Sequence, residues 1–176
     1  VARSHDVAYL NGIFEMKYEK MPIFITQPYM YIANNYDNFD CMVKALPEHS
    51  LGIKGLLPLW ALTGLKFFFP QLINFPSYVN KEELTTLTMF YDAYYDFGWA
   101  GVLAFSCVLG FVAYLLTVKL REMRNPMGYL LYAQMAVYFV LSFFTTWFSN
   151  TTTWFYLIVT GVMAVYYEAA ERWWRR

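Results

Sequence analysis

Two residues in the first half of the chain have side chains suited to phosphate binding or to acid–base chemistry. Arg3 is the only arginine among residues 1–97, and a guanidinium presents a rigid fork of donors that matches phosphate oxygens. His49 lies in a loop beside Gly52, where an imidazole could serve as a general base or donate to a substrate. Plainer interpretations, a surface arginine and a solvated loop histidine, stay open.

A third candidate is a segment in which aromatic rings alternate with amides and carboxylates. Such a mixture suits sugars, because rings stack on the apolar faces of a sugar while its hydroxyls need polar partners. The alternative is an amphipathic helix that packs its aromatic face on a membrane domain. The candidate substrate-binding residues are Tyr36, Asn34, Asp37, Asn38 and Lys44.

Other chemistries lack their sequence signals. His5 and His49 have no cysteine or carboxylate at ligand spacing, and phosphate-loop and dinucleotide motifs are absent, so we predict no metal and no cofactor. Lysine plus arginine and aspartate plus glutamate each number 13, which leaves no net field for a nucleic acid. With 59% hydrophobic, 22% aromatic and 15% charged residues, the composition indicates a membrane protein.

Three long apolar stretches predict an all-α, polytopic membrane domain over 98–176. The spans are predicted at 98–118, 127–148 and 153–168, with Asn125 as the N-cap of the second. Basic residues lie in the connection between the first two spans and in the C-terminal tail, whereas the connection between the second and third spans has none. Because basic residues in short loops are retained in the cytoplasm, the C-terminus is expected there. Residues 1–97 then form an external region.

The external region is expected to contain amphipathic helices. Pro28 is predicted to open a helix that Pro47 ends, and a second helix is predicted over 82–97. The apolar segment 51–70 is interrupted by proline and glycine, so it could be interfacial, re-entrant or a fourth span.

The chain begins with Val1 and shows no signal peptide, which favours the C-terminal part of a longer protein. No charged residue lies within the first two spans, which argues against an ion pump or carrier.

A resemblance to a known family rests on three stretches: ITQPYMYIANNYDNF from Ile25, HSLG from His49, and a third from Leu87 that contains YDFGWAG from Tyr95. Together they resemble the C-terminal part of bacterial oligosaccharide repeat-unit polymerases, the Wzy-type O-antigen and capsule polymerases. These are multi-pass enzymes of the bacterial inner or plasma membrane.

The resemblance implies a metal-independent glycosyltransferase of surface polysaccharide biosynthesis. A glycan on undecaprenyl pyrophosphate would be moved onto another lipid-linked repeat unit, with the lipid bilayer and the missing N-terminal helices as partners. By this resemblance Arg3 would stabilise the leaving pyrophosphate, and His49 or a carboxylate such as Asp37 would act as the base. A non-catalytic flippase or transporter subunit is the alternative.

Overall fold

A computed structural model describes residues 6–81, 84–120 and 125–174. The described residues form helices, short 3-10 turns and loops, without a strand. The fold is therefore all-α, as predicted. The helices are α1 (Val7–Ile13), α2 (Ile23–Ala45), α3 (Leu57–Leu62), α4 (Tyr91–Leu120), α5 (Pro126–Val140) and α6 (Thr151–Trp174), with 3-10 turns at Leu65–Phe67, Pro70–Leu72 and Trp147–Ser149.

Helix α2 is longer than the sequence suggested. It begins at Ile23, so Pro28 lies inside the helix and does not open it. Proline at the sixth helical residue removes only the hydrogen bond to the carbonyl of Phe24, which a helix of 23 residues tolerates. The helix ends at Ala45, two residues before Pro47 and in agreement with the predicted stop.

The helix predicted over 82–97 is wrong in its first half. Residues 84–88 are not helical, and α4 begins only at Tyr91. The Asn38 amide donates to the carbonyl oxygens of Leu84 and Thr86 at 2.8 and 2.9 Å. Because these carbonyls accept hydrogen bonds from an asparagine of α2, they are not available as acceptors for a helix over the same residues.

Helix α4 is the described helix that is long and apolar enough to cross a membrane, over Tyr91–Lys119. It contains the first predicted span, 98–118. The backbone leaves helical geometry at Phe97 and at Gly98, which has φ 61° and ψ −147°. This kink separates a first turn rich in tyrosine and aspartate from the uncharged stretch.

The second predicted span, 127–148, is too long. Helix α5 ends at Val140 after 15 residues, and turns follow. The carbonyls of Ser142 and Phe143 accept hydrogen bonds from the Met89 amide and the Asn35 side chain, so these turns are held to α2 and to the segment before α4. The third predicted span, 153–168, lies within α6, but among the described helices only α4 has the length and apolar composition of a membrane span.

The predicted N-cap at Asn125 is confirmed. Its Oδ1 accepts from the Met127 N–H at 2.9 Å, and its Nδ2 donates to the Ala164 carbonyl at 2.7 Å. The side chain therefore starts α5 and ties it to α6. Segment 51–70 folds into the six-residue α3 and two 3-10 turns, and α3 lies against α6. These pieces are too short for a fourth span.

Candidate functional site

Two of the predicted substrate-binding residues are buried and hold backbone in place. Asn34 donates to the Leu84 carbonyl at 3.0 Å, and Asn38 donates to the same oxygen and to Thr86. The Oδ1 of Asn38 accepts from the Asn80 N–H at 2.8 Å. These amides therefore fix the segment before α4 against α2. Their N–H donors are already used in these hydrogen bonds.

A cleft of about 410 Å³, which we call the polar cleft, lies beside α2. Lys81 is one of the residues that line the cleft. Its ammonium pairs with Glu15 at 2.8 Å and donates to the Ile13 carbonyl at 2.7 Å. Polar, charged and aromatic side chains all contribute to its lining. Its lining residues are Phe14, Glu15, Met16, Lys17, Tyr29, Met30, Ala33, Asn34, Asp37, Asn80 and Lys81.

The structure brings Asn34 and Asp37 together in the polar cleft but places other predicted residues elsewhere. Tyr36 and Lys44 are exposed outside its lining. Lys44 pairs with Asp40, one turn earlier on α2, and the hydrogen bond from Lys44 to Asp40 raises the lysine pKa. Such an exposed pair contributes little stability.

His49 lies beside the start of α4 and away from the polar cleft. Its Nδ1 is 3.3 Å from the carbonyl oxygen of Tyr95, and its ring meets Tyr94 edge to face with centroids 5.8 Å apart. Arg3, the second predicted catalytic residue, lies outside the described residues.

The sequence interpretation missed a cluster around Asp96, which we call the buried junction: Ser50, Lys54, Asp92, Asp96 and Ser149. Asp96 accepts from the Ser50 hydroxyl, from the Lys54 N–H at 3.1 Å and from the Gly55 N–H at 2.7 Å. Three donors occupy most of the acceptor sites of this carboxylate, which is 3% exposed. Asp96 therefore fastens the 50–55 turn to α4.

The second carboxylate of the junction, Asp92, joins three segments. Its Oδ1 lies 3.6 Å from the Lys54 ammonium, and the Ser149 hydroxyl donates to its Oδ2. The side chains of Lys54 and Asp92 are 11% and 9% exposed. This pair links the segment before α3, the N-terminal end of α4 and the turn before α6.

Three aromatic rings surround the Lys54 ammonium. Its Nζ is 4.1 Å from the ring centroid of Tyr95, 5.2 Å from that of Tyr91 and 5.6 Å from that of Phe75. Burial lowers the pKa of Lys54 below its usual value, and the carboxylate of Asp92 partly opposes this shift. The faces of these rings compensate part of the lost hydration.

A second cleft, of about 330 Å³, adjoins the buried junction, and we call it the apolar cleft. Asp92, Asp96 and Ser149 lie at its polar end, while Phe105 and Val108 line it further along α4. A mostly apolar cleft with a few convergent polar groups is typical of small-molecule sites. The other lining residues are Gly55, Met89, Ala93, Phe97, Gly101, Ala104, Phe148 and Trp154.

Two glycines of the YDFGWAG stretch allow this arrangement. Gly98 has a positive φ, and a Cβ there would lie 3.0 Å from Nε2 of His49. A Cβ on Gly101 would collide with the carbonyl oxygen of Ala93. Both positions therefore require glycine.

A signal for the junction was present in the sequence. Asp92 and Asp96 are one helical turn apart and stand directly before an uncharged apolar stretch, and Lys54 interrupts another apolar segment. Helical spacing places the two carboxylates on one face. The partner from 50–55 could not be identified, because the contact spans about 40 positions of sequence.

Comparisons with models of known protein families, with curated proteins and with solved structures find no match. Function must therefore be inferred from the residues and their geometry. The two clefts, one polar beside α2 and one apolar beside the N-terminal half of α4, are the candidate functional sites of this chain.

Proposed function

We propose that this chain is part of an enzyme that polymerises lipid-linked oligosaccharide repeat units at the bacterial plasma membrane, in surface polysaccharide biosynthesis. The glycan of one lipid pyrophosphate is transferred onto the end of another lipid-linked unit. The observation that carries this proposal is the polar cleft, which combines amides, carboxylates and aromatic rings in a chain that also has a helix of membrane-spanning length. The motif resemblance adds the reaction type.

The membrane part of the proposal rests on the surface of α4. Only 11% of the most apolar 18-residue stretch of α4 is buried inside the structure. A core helix of a soluble protein buries most of its apolar side chains. Leu103, Phe111 and Tyr114 are 61–68% exposed. Lipid, or further helices of a longer chain, would cover such a surface in a multi-pass protein.

The proposed topology places residues 1–97 outside the cell and the C-terminus in the cytoplasm, with α4, α5 and α6 in the membrane domain. Cysteine labelling tests it in a variant whose Cys41 and Cys107 are serine. Cysteine at the exposed position of Lys20 should react with an impermeant maleimide in intact cells. Cysteine at Lys119 should react only after permeabilisation, and the reverse pattern contradicts the topology.

Sugar binding in the polar cleft is tested by two matched substitutions on α2. Asp37 lines the cleft and Asp40 does not, although both carboxylates are exposed. Asp37→Asn in the full-length protein should lower the polymerisation rate about tenfold, because it removes a charged acceptor for sugar hydroxyls. Asp40→Asn should leave the rate unchanged. Equal rates for both variants contradict sugar binding in this cleft.

The amount of single repeat units on the outer surface, measured together with chain length, also distinguishes a polymerase from a flippase. An impaired polymerase leaves single repeat units on the outer surface but shortens the chains. A flippase defect removes the single units as well, since they no longer cross the membrane. Loss of single units in Asp37→Asn cells would therefore favour the transport alternative.

The role of Arg3 remains a prediction from the sequence. Arg3→Lys keeps the positive charge but loses the bidentate fork, so polymer length should fall if this residue grips pyrophosphate. Polymer of wild-type length would dismiss that role.

A further inference from the structure

The apolar cleft contains features that sugar binding in the polar cleft does not use. Its walls include the rings of Phe97, Phe148 and Trp154, and its polar end carries the Asp92 carboxylate and the Ser149 hydroxyl. Aromatic faces and a carboxylate form a surface on which a sugar ring stacks while one hydroxyl donates a hydrogen bond.

We propose that the apolar cleft receives the attacking end of the acceptor glycan, and that Asp92 accepts the proton of the attacking hydroxyl. This inference rests on the proposed polymerase function. It replaces Asp37 and His49, the bases expected from the sequence, with a carboxylate that the fold holds in one orientation.

The position of Asp92 is set from two sides. Lys54 lies at 3.6 Å from one carboxylate oxygen, and the Ser149 hydroxyl donates to the other. Asp96 also faces Asp92 from the next turn of α4, but its oxygens are engaged by the 50–55 turn. Asp92 is therefore the carboxylate of the cleft with acceptor capacity for a ligand, while Asp96 is a positioning residue.

The depth of Asp92 matches the site of reaction. Asp92 lies among the residues of α4 that precede Gly98, where the helix kinks and the uncharged stretch begins, so it stands just outside the apolar part of the helix. The interfacial layer on each side of a bilayer is about 5–7 Å thick. The pyrophosphate of a lipid-linked donor lies in that layer, so the reacting anomeric carbon lies close to the outer end of α4.

The charge of the cleft assigns it to the acceptor and not to the leaving group. Two carboxylates and one ammonium leave a net negative charge, which repels pyrophosphate and attracts the proton of a hydroxyl. A cation elsewhere in the protein, such as Arg3, would stabilise the leaving group. Separate sites for the base and the cation keep the two from neutralising each other.

The step balances without a co-reactant. The acceptor hydroxyl oxygen forms a bond to the anomeric carbon of the donor while its proton moves to Asp92. The bond between that carbon and the pyrophosphate oxygen breaks, and its electron pair leaves with the lipid pyrophosphate. Asp92 then releases the proton to water.

The test uses the full-length protein in native membrane vesicles, supplied with the lipid-pyrophosphate-linked repeat unit of its own host. Asp92→Asn retains the shape of the side chain but removes its basicity. We expect kcat to fall about 100-fold with KM within about threefold of wild type, and the acid limb of the pH–rate profile to disappear. A purely structural role for Asp92 would leave that limb in the residual activity.

A second variant keeps the test decisive if Asp92→Asn fails to fold. Lys54→Met combined with Asp92→Leu replaces the pair with apolar side chains, an exchange that buried ion pairs often tolerate. The folded double variant should have less than a tenth of wild-type activity. A folded double variant above that level, or an Asp92→Asn enzyme that keeps a tenth of wild-type kcat or its acid limb, overturns this inference alone. Wild-type vesicles that make no polymer overturn the proposed function as well.

Discussion

Removal of the Lys54 ammonium tests the buried junction as the element that joins the 50–55 turn to α4 and to the turn before α6. In Lys54→Met the carboxylate of Asp92, 9% exposed, loses its cationic partner. Breaking a buried ion pair from one side costs about 3–5 kcal/mol, because the remaining charge stays buried without compensation.

The structure places the expected cost at the lower end of that range. The two charges are 3.6 Å apart, and Asp92 keeps the Ser149 hydroxyl as a donor. Methionine also keeps contact with the rings of Tyr91 and Tyr95, since its thioether packs well on aromatic side chains. We therefore expect a loss of about 3 kcal/mol in the free energy of unfolding.

The assay is thermal and denaturant unfolding of the purified full-length protein in mild detergent, followed by tryptophan fluorescence. A loss of about 3 kcal/mol lowers Tm by roughly 6–12 °C for a protein of this size. Lys54→Met with Asp92→Leu should unfold within about 1 kcal/mol of wild type, because no charge is left buried. A single variant as stable as wild type, or a double variant as unstable as the single, refutes the reasoning.

Three further predictions concern backbone and charge. Gly98→Ala and Gly101→Ala should each lower stability by at least about 1–3 kcal/mol, from strain and collision, whereas Gly110→Ala, with open space around its Cβ position, should be neutral or stabilising in the same unfolding assay. Asn38→Ala strands the Thr86 carbonyl and the Asn80 N–H, while the Leu84 carbonyl keeps its hydrogen bond from Asn34, so about 2–4 kcal/mol should be lost, and a loss below 1 kcal/mol would contradict its role. Because burial lowers the pKa of Lys54, the unfolded chain binds more protons between that pKa and 10.5, so stability relative to Lys54→Met should rise with pH in this window; a flat or falling difference would exclude the shift.

Local patterns were sufficient to predict some elements. The uncharged stretch after Gly98 predicted the membrane-length part of α4, and asparagine before proline predicted the start of α5 at Asn125. Each signal lies within a few residues of the structure it specifies, through side-chain capping or through continuous apolar composition.

Elements that depend on distant partners were mispredicted. Residues 84–88 have helical spacing, yet Asn38, more than 40 positions earlier, binds their carbonyls. Apolar residues continue beyond Val140, yet Asn35 binds the carbonyl of Phe143 across 108 positions. Periodicity in one segment contains no information about such partners, so tertiary hydrogen bonds override it.

The candidate sites also contain residues that local patterns predict and residues that depend on distant partners. Asn34 and Asp37, predicted as substrate-binding residues from the local amide and aromatic pattern of α2, both line the polar cleft. The buried junction depends on the pairing of Lys54 with a helix that begins 37 positions later, so spacing alone could not reveal it. The structural role of Asn38 also depends on residues more than 40 positions away, so local sequence could not predict it.

The most direct test of the central claim is polymerisation by the purified full-length protein in liposomes. The liposomes contain the lipid-pyrophosphate-linked repeat unit of the host as the only glycan. The proposed function predicts a ladder of products that differ by one repeat unit, together with release of lipid pyrophosphate in equal amount to the bonds formed. Unchanged single units in liposomes that hold folded protein would contradict the claim.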